Sequence, residues 1–184
     1  MQSLQGILHL GGMKMILRWL IPAVVALTAL FSCSKTEPEV QEEFEAEWVA
    51  AYYLGPDDSG TVQVYDLTLV QGRTDDELVL ISPGAVAHLI ISAPAGEEGL
   101  LPVGTYFGSD ETDPFTLALG HSTVQLRTEL GNEVLEYPVS DGRVRLSRKS
   151  DGSWGVDVDL DAEAKHFRFG YTGTVETYNL TKLF

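Results

Sequence analysis

Three aspartates at alternate positions, Asp157, Asp159 and Asp161, invite a metal-binding reading. Acids at positions 1, 3 and 5 begin a calcium loop of EF-hand spacing, but such a loop also needs glycine at position 6 and glutamate at 12. Ala162 and Arg168 stand there instead. In a strand the carboxylates would lie roughly 6.6 Å apart, too spread for one cation. These acids suit a cross-strand charge ladder better, with Arg143, Arg145, His166 and Arg168 as the opposing cations. Of the other histidines, His88 sits in an apolar run and reads as a core residue, and His121 falls at a turn. The sequence contains no HExxH or CxxC spacing for zinc, no Gly-x-Ser-x-Gly elbow and no phosphate-binding glycine loop. Acid pairs such as Glu97-Glu98 and Asp110-Glu111 carry no signal that sets two of them across a cleft, as a glycosidase requires. The expectation is a non-catalytic chain without a cofactor. Aromatic residues gather in the N-terminal half, and Trp48, Tyr52, Tyr53 and Tyr106, with Tyr65 and Phe107 nearby, are candidates to stack against a ligand ring. The competing reading is that alternate members fill a core.

The elements that must position these residues are clearest between residues 143 and 178. Val144 and Leu146 alternate with Arg143 and Arg145; Trp154, Val156, Val158 and Leu160 alternate with Asp157, Asp159 and Asp161; Phe167, Phe169 and Tyr171 alternate with His166 and Arg168. Each run therefore has one face for a core and one for water. Apolar residues must oppose apolar ones, because a slip of one residue inverts every side chain. A three-residue loop Ser150-Asp151-Gly152, ending in the glycine that a left-handed position favours, satisfies this. It pairs Leu146 with Val156 and Val144 with Val158, and sets Arg145 opposite Asp157 and Arg143 opposite Asp159. A second loop over residues 162–165 pairs Leu160 with Phe167 and Val158 with Phe169. Asp161 then opposes His166, and Asp159 opposes Arg168.

Earlier in the chain, strands are expected over 48–54, 61–70, 78–81 and 87–92, and weaker ones over 115–119, 122–129 and 133–139. Residues 94–108 read as loop and turn. No stretch after residue 33 keeps a helical period over 11 residues. The fold class is all-β: a single antiparallel β-sandwich over residues 46–184 with a C-terminal meander, the alternative being a lipocalin-like β-barrel.

The N-terminus carries an address. Lys14 and Arg18 precede an apolar run of 13 residues, 19–31, short of the roughly 20 a membrane span needs. The run ends in Leu30-Phe31-Ser32-Cys33, and Cys33 is the only cysteine. This resembles a bacterial lipoprotein signal helix, cleaved after residue 32, in which Cys33 becomes the lipidated first residue. Met13 is then the expected start, with residues 1–12 upstream of it. Residues 34–45, with five glutamates against one lysine, read as a disordered acidic tether. It is similar to the acidic stretch that directs some lipoproteins to the outer face of the outer membrane; the periplasmic face is the alternative. The whole chain has a net charge of −15, and loss of the two signal cations takes it to −17. Such a body repels nucleic acid and anionic headgroups.

The segments LPVGTYFGS, from Leu101, and VSDGRVRLSRKSDGSWGVDVDLDAEAKHFRFGYTGTV, from Val139, resemble a pattern in Bacteroidota-type secreted lipoproteins of unknown function. The matching positions are Leu101, Pro102, Gly104, Thr105 and Tyr106, then Gly142, Val144, Gly152, Tyr171 and Gly173. The resemblance implies fold and cell-envelope location and carries over no catalytic or binding residue. The expected function is that of a membrane-anchored binding or interaction module for a glycan or protein at the cell surface. A carrier of a small apolar ligand is the first alternative, and a small hydrolase the second.

Overall fold

The structure is a computed structural model that describes residues 40–96, 100–131 and 133–182. The expected signal, Cys33 and residues 34–39 of the expected tether lie outside the described residues. Twelve strands follow in order: β1 (Val40–Glu45), β2 (Trp48–Pro56), β3 (Val62–Gln71), β4 (Gly84–Pro94), β5 (Gly104–Ser109), β6 (Thr116–Ala118), β7 (Thr123–Arg127), β8 (Leu135–Pro138), β9 (Asp141–Arg148), β10 (Trp154–Ala162), β11 (Lys165–Gly173) and β12 (Glu176–Asn179). Two short 3-10 turns, Leu119–His121 and Leu180–Lys182, complete the described secondary structure.

The fold is all-β, as the alternation requires. Its strands form one curled open sheet in the order β1-β11-β10-β9-β5-β6-β4-β3-β2-β12, with β7 pairing to β4 and β8 to β7. The two layers expected of a sandwich are thus two halves of a single sheet folded over one core. Strand pairing is mainly antiparallel, but β1–β11, β5–β6 and β2–β12 are parallel, which corrects the purely antiparallel expectation. The core draws on both halves, with Val49, Ala51, Tyr65, Leu67, Leu89 and Ile91 meeting Tyr106, Val144, Val158, Leu160, Phe167 and Phe169.

Two junctions let one sheet enclose a core. At the first, β1 and β2 are almost one strand. Ala46 N–H donates to Gly170 O in β11 at 2.8 Å, and Glu47 N–H donates to Val70 O in β3 at 2.8 Å. The chain therefore steps from one end of the sheet to the strand next to its other end within two residues. At the second, β4 changes partner, pairing with β7 over Gly84 to His88 and with β6 at Ile91 and Ser92. Ile90 N–H faces the fork between them. It donates to Ser122 Oγ at 3.1 Å, and that buried hydroxyl donates to Ala118 O at 2.7 Å, so the break in the ladder leaves neither group unsatisfied.

The structure corrects several boundaries. The sheet begins at Val40, so the second half of the expected tether is an edge strand. Phe44 stacks on Phe169 at 5.1 Å between ring centres, and Lys165 Nζ lies 3.2 Å from Glu42 Oε1. One inward ring and neighbouring cations hold a segment whose composition alone reads as disordered. Residues 94–108 contain β5, where a loop is expected. Residues 78–81 form no named strand: Leu78 has a φ of +62°, and only Leu80 is buried, while Val79 and Ile81 face solvent.

Candidate functional site

The candidate site is built by the meander β9–β10–β11 and the strands on either side of it. Lys149 N–H donates to Ser153 O at 2.9 Å, closing the first hairpin around Ser150-Asp151-Gly152, with Gly152 at φ +85°. The Asp151 carboxylate accepts the Ser153 hydroxyl at 2.6 Å and the Ser153 N–H at 2.9 Å. Those bonds, the hydroxyl's first, hold its pKa below the usual carboxylate range. Leu146 opposes Val156 and Val144 opposes Val158, so Arg145 opposes Asp157 and Arg143 opposes Asp159. The second hairpin pairs Leu160 with Phe167 and Val158 with Phe169, and its ladder continues to Ala162 and Lys165. That leaves a tight turn at Glu163-Ala164, with Glu163 at φ +54°.

Register converts alternation into rows of charge across the outer face. One row runs Phe107, Arg143, Asp159, Arg168, Glu43 from β5 to β1. Arg143 Nη2 lies 3.1 Å from Asp159 Oδ2, and Arg168 Nη1 lies 3.6 Å from Glu43 Oε1. The neighbouring row runs Thr105, Arg145, Asp157, Gly170, Glu45. Among the described residues no ion pair joins Arg145 to Asp157, although their backbones are partners. Below, His166 lies between two aspartates, its Nδ1 2.7 Å from Asp161 Oδ1 and its Nε2 2.9 Å from Asp159 Oδ1. The three aspartates thus stand on one face with buried Val158 and Leu160 on the other. Asp159 and Asp161 are in reach of basic groups on adjacent strands, and the three carboxylates do not gather into a metal-holding group among the described residues.

Above these rows the outer surface is concave, an open space of about 1050 Å³ whose sides are Thr105 and Phe107 at one end and Glu43 and Glu45 at the other. It lies outside the barrel-like core. Phe107, 59 % exposed, is the large apolar side chain at its rim.

The ring residues expected to stack on a ligand divide between two environments. Tyr53 and Tyr106 are buried, at 2 % and 0 % exposure, which removes both as stacking surfaces. Tyr53 packs against Tyr65 at 5.3 Å, and the Tyr106 hydroxyl donates to Pro102 O at 2.9 Å. Alternation is the physical reason: the odd positions of β2 and the middle of β5 point inward. Trp48 is half-buried over Val70, Leu80 and Val86 on the outer face of the other half of the sheet. Tyr52, on that same face, stacks on Tyr178 at 5.2 Å, and the Tyr178 hydroxyl donates to Glu176 Oε2.

His88 also belongs to this outer face and not to the main core. Its Nδ1 is 3.3 Å from Thr68 Oγ1 and 3.9 Å from Asp66 Oδ1. Burial raises the Tyr52 phenol above its ordinary value, with Asp66 and Glu176 adding to the effect. The sequence reading missed Phe107 as the exposed member of its pair, Tyr178 as a partner of Tyr52, and the contribution of β1 to the charged face. Alternation across Tyr106-Phe107 was the available signal for the first. No protein-family model, curated protein or solved structure matches the chain.

Proposed function

We propose that this chain is a lipid-anchored, non-catalytic binding module of the cell envelope, held at the outer membrane through Cys33, with the charged concavity as its binding face. The observation that carries this reading is the arrangement of the rows. In one row carboxylates and guanidinium groups alternate at the strand spacing of about 4.8 Å across four strands, β9, β10, β11 and β1, with an exposed phenylalanine from β5 at its end. General acid–base chemistry needs groups that converge on one reacting atom. Alternating charges spread over a sheet present instead many modest contacts to a large partner, a protein or glycan. A carrier of a small apolar ligand is less well supported, because the large space is open and charged residues from four strands make up much of its lining.

Two measurements test the proposal. Incorporation of an alkyne-tagged fatty acid should be lost completely on Cys33→Ser; retention of the label would remove the anchor. Detergent-solubilised full chain, applied to glycan and peptide arrays, should give ligands whose signal falls at least about tenfold on Arg145→Ala or Phe107→Ser. Array ligands indifferent to both substitutions would place binding elsewhere.

A further inference from the structure

The two charged rows differ at one position. In the row Glu43, Arg168, Asp159, Arg143, each anion has a cation beside it; in the row Glu45, Gly170, Asp157, Arg145, a glycine stands where the first row has Arg168. Glu45 and Asp157 therefore flank a place with no side chain. Among the described residues neither forms an ion pair. The Glu45 carboxylate leans over the gap, with Oε1 3.6 Å from where a Cβ on Gly170 would sit.

Glycine inside a strand weakens it, so its presence calls for a reason. Elsewhere in the sheet the reasons are visible. Gly84 and Gly142 have φ of +155° and +150° and press against the backbones of β3 and β10. A Cβ at Gly104 would stand 2.5 Å from the Phe115 ring, at Gly108 2.8 Å from Leu119, and at Gly155 2.7 Å from Ser147 Oγ. Gly170 lies outside the left-handed region, and the atoms nearest to a Cβ there belong to the flexible end of Glu45, at ordinary contact distance. Neither backbone conformation nor packing demands glycine there. What the glycine does is leave the space between two carboxylates, on the floor of the concavity, free of a side chain.

We propose that the concave face docks a basic protein segment, one lysine or arginine of which enters the gap over Gly170 and pairs with Glu45 and Asp157. This rests on the reading of the concavity as the binding face and names its partner. The inserted cation completes the alternation that the first row achieves with Arg168. The net charge of −15 draws basic partners at long range, while the gap fixes where one side chain lands.

The test is an anisotropy titration of the detergent-solubilised full chain with a fluorescein-labelled decapeptide of alternating lysine and serine. Saturable binding is expected, with no binding of the alternating glutamate–serine peptide. Gly170→Arg, which fills the gap with the protein's own cation, should weaken binding at least about tenfold while leaving the urea midpoint no lower than that of the wild type. The paired substitution Glu45→Gln with Asp157→Asn should weaken it comparably. Glu129→Gln, which removes one charge from an exposed residue outside the rows, should change it less than about twofold. Absence of binding, binding unaffected by both gap variants, or an equal loss with Glu129→Gln would overturn the proposal. A chain that ignores the basic peptide but still loses its array ligands on Arg145→Ala overturns the cation gap alone. A chain indifferent in both assays overturns the binding face as well.

Discussion

The two halves of the curled sheet use their outer faces in opposite ways. On β9, β10 and β11 the outer positions are mostly polar or charged, with Gly155 and Gly170 as exceptions, and the face stays open. On β3 and β4 both faces are largely buried, and Thr68, Val70, Val86 and Ser92 are covered although they point away from the main core. Leu80, from the connection between β3 and β4, joins Val70 and Val86 in a small second cluster, with Trp48 and Val134 packed at its margin. Arg127 Nη1 donates to Leu80 O at 2.9 Å and pins that connection in place. One half covers its outer surface with a further core; the other leaves it open to solvent.

The comparison can be broken most sharply by truncation. Phe167→Ala, in the main core, should lower stability by about 3–5 kcal/mol, and Leu80→Ala by about 2–3 kcal/mol, read from urea unfolding. A negligible cost at Leu80 would mean that the second cluster is not a core at all.

Alkaline pH provides the next largest effect. Tyr65, in β3, is buried, and its one hydroxyl proton is shared between two acceptors, Leu100 O at 2.8 Å and Gln63 Oε1 at 2.9 Å. Burial pushes its pKa up to about 12, with Tyr53 adding to the effect. The folded state therefore holds this proton more tightly than the unfolded chain. The resulting stability is fully present below about pH 10, the ordinary tyrosine value, and is lost as pH rises towards 12. Tyr65→Phe should cost about 1 kcal/mol at neutral pH and flatten the fall in urea midpoint above pH 10. An unchanged alkaline slope would count against it.

On the open half the numbers shrink. A double-mutant cycle on Arg143 and Asp159 should return a coupling of about 0.2–1 kcal/mol that fades in 1 M salt. Smallest of all, Phe107→Ser should change stability by less than about 0.5 kcal/mol. A large loss there would show that the rim of the concavity is structural.

The same contrast explains what could be read before any coordinates. Strands that alternate declare their faces, so the pairing of β9, β10 and β11 and the turn at Gly152 follow from residue order. Strands apolar on both sides conceal which face is which, and His88 accordingly reads as core when it lies on the second face beside Thr68. β1 hides for another reason: its glutamates mask one inward ring, Phe44, whose partner is more than a hundred residues away. β5 is obscured by Pro102 and Gly104, which read as loop. At the candidate site the individual charges of the meander are legible, but the gap at Gly170 is not. It exists only once β1 supplies Glu45 on its far side, a pairing no local pattern announces.

The way β1 runs into β2 has a mechanical consequence. A pull on the chain ahead of residue 40 travels along the axis of β1, which lies parallel to β11 and is matched to it over six residues. Tension in that direction loads the rungs in shear, all together, instead of peeling them singly. Past Glu45 the same tension passes directly into β2, between β3 and β12. A pull entering at Val40 is therefore shared between β1 and β2, two strands far apart in the order of the sheet, instead of falling on one edge alone.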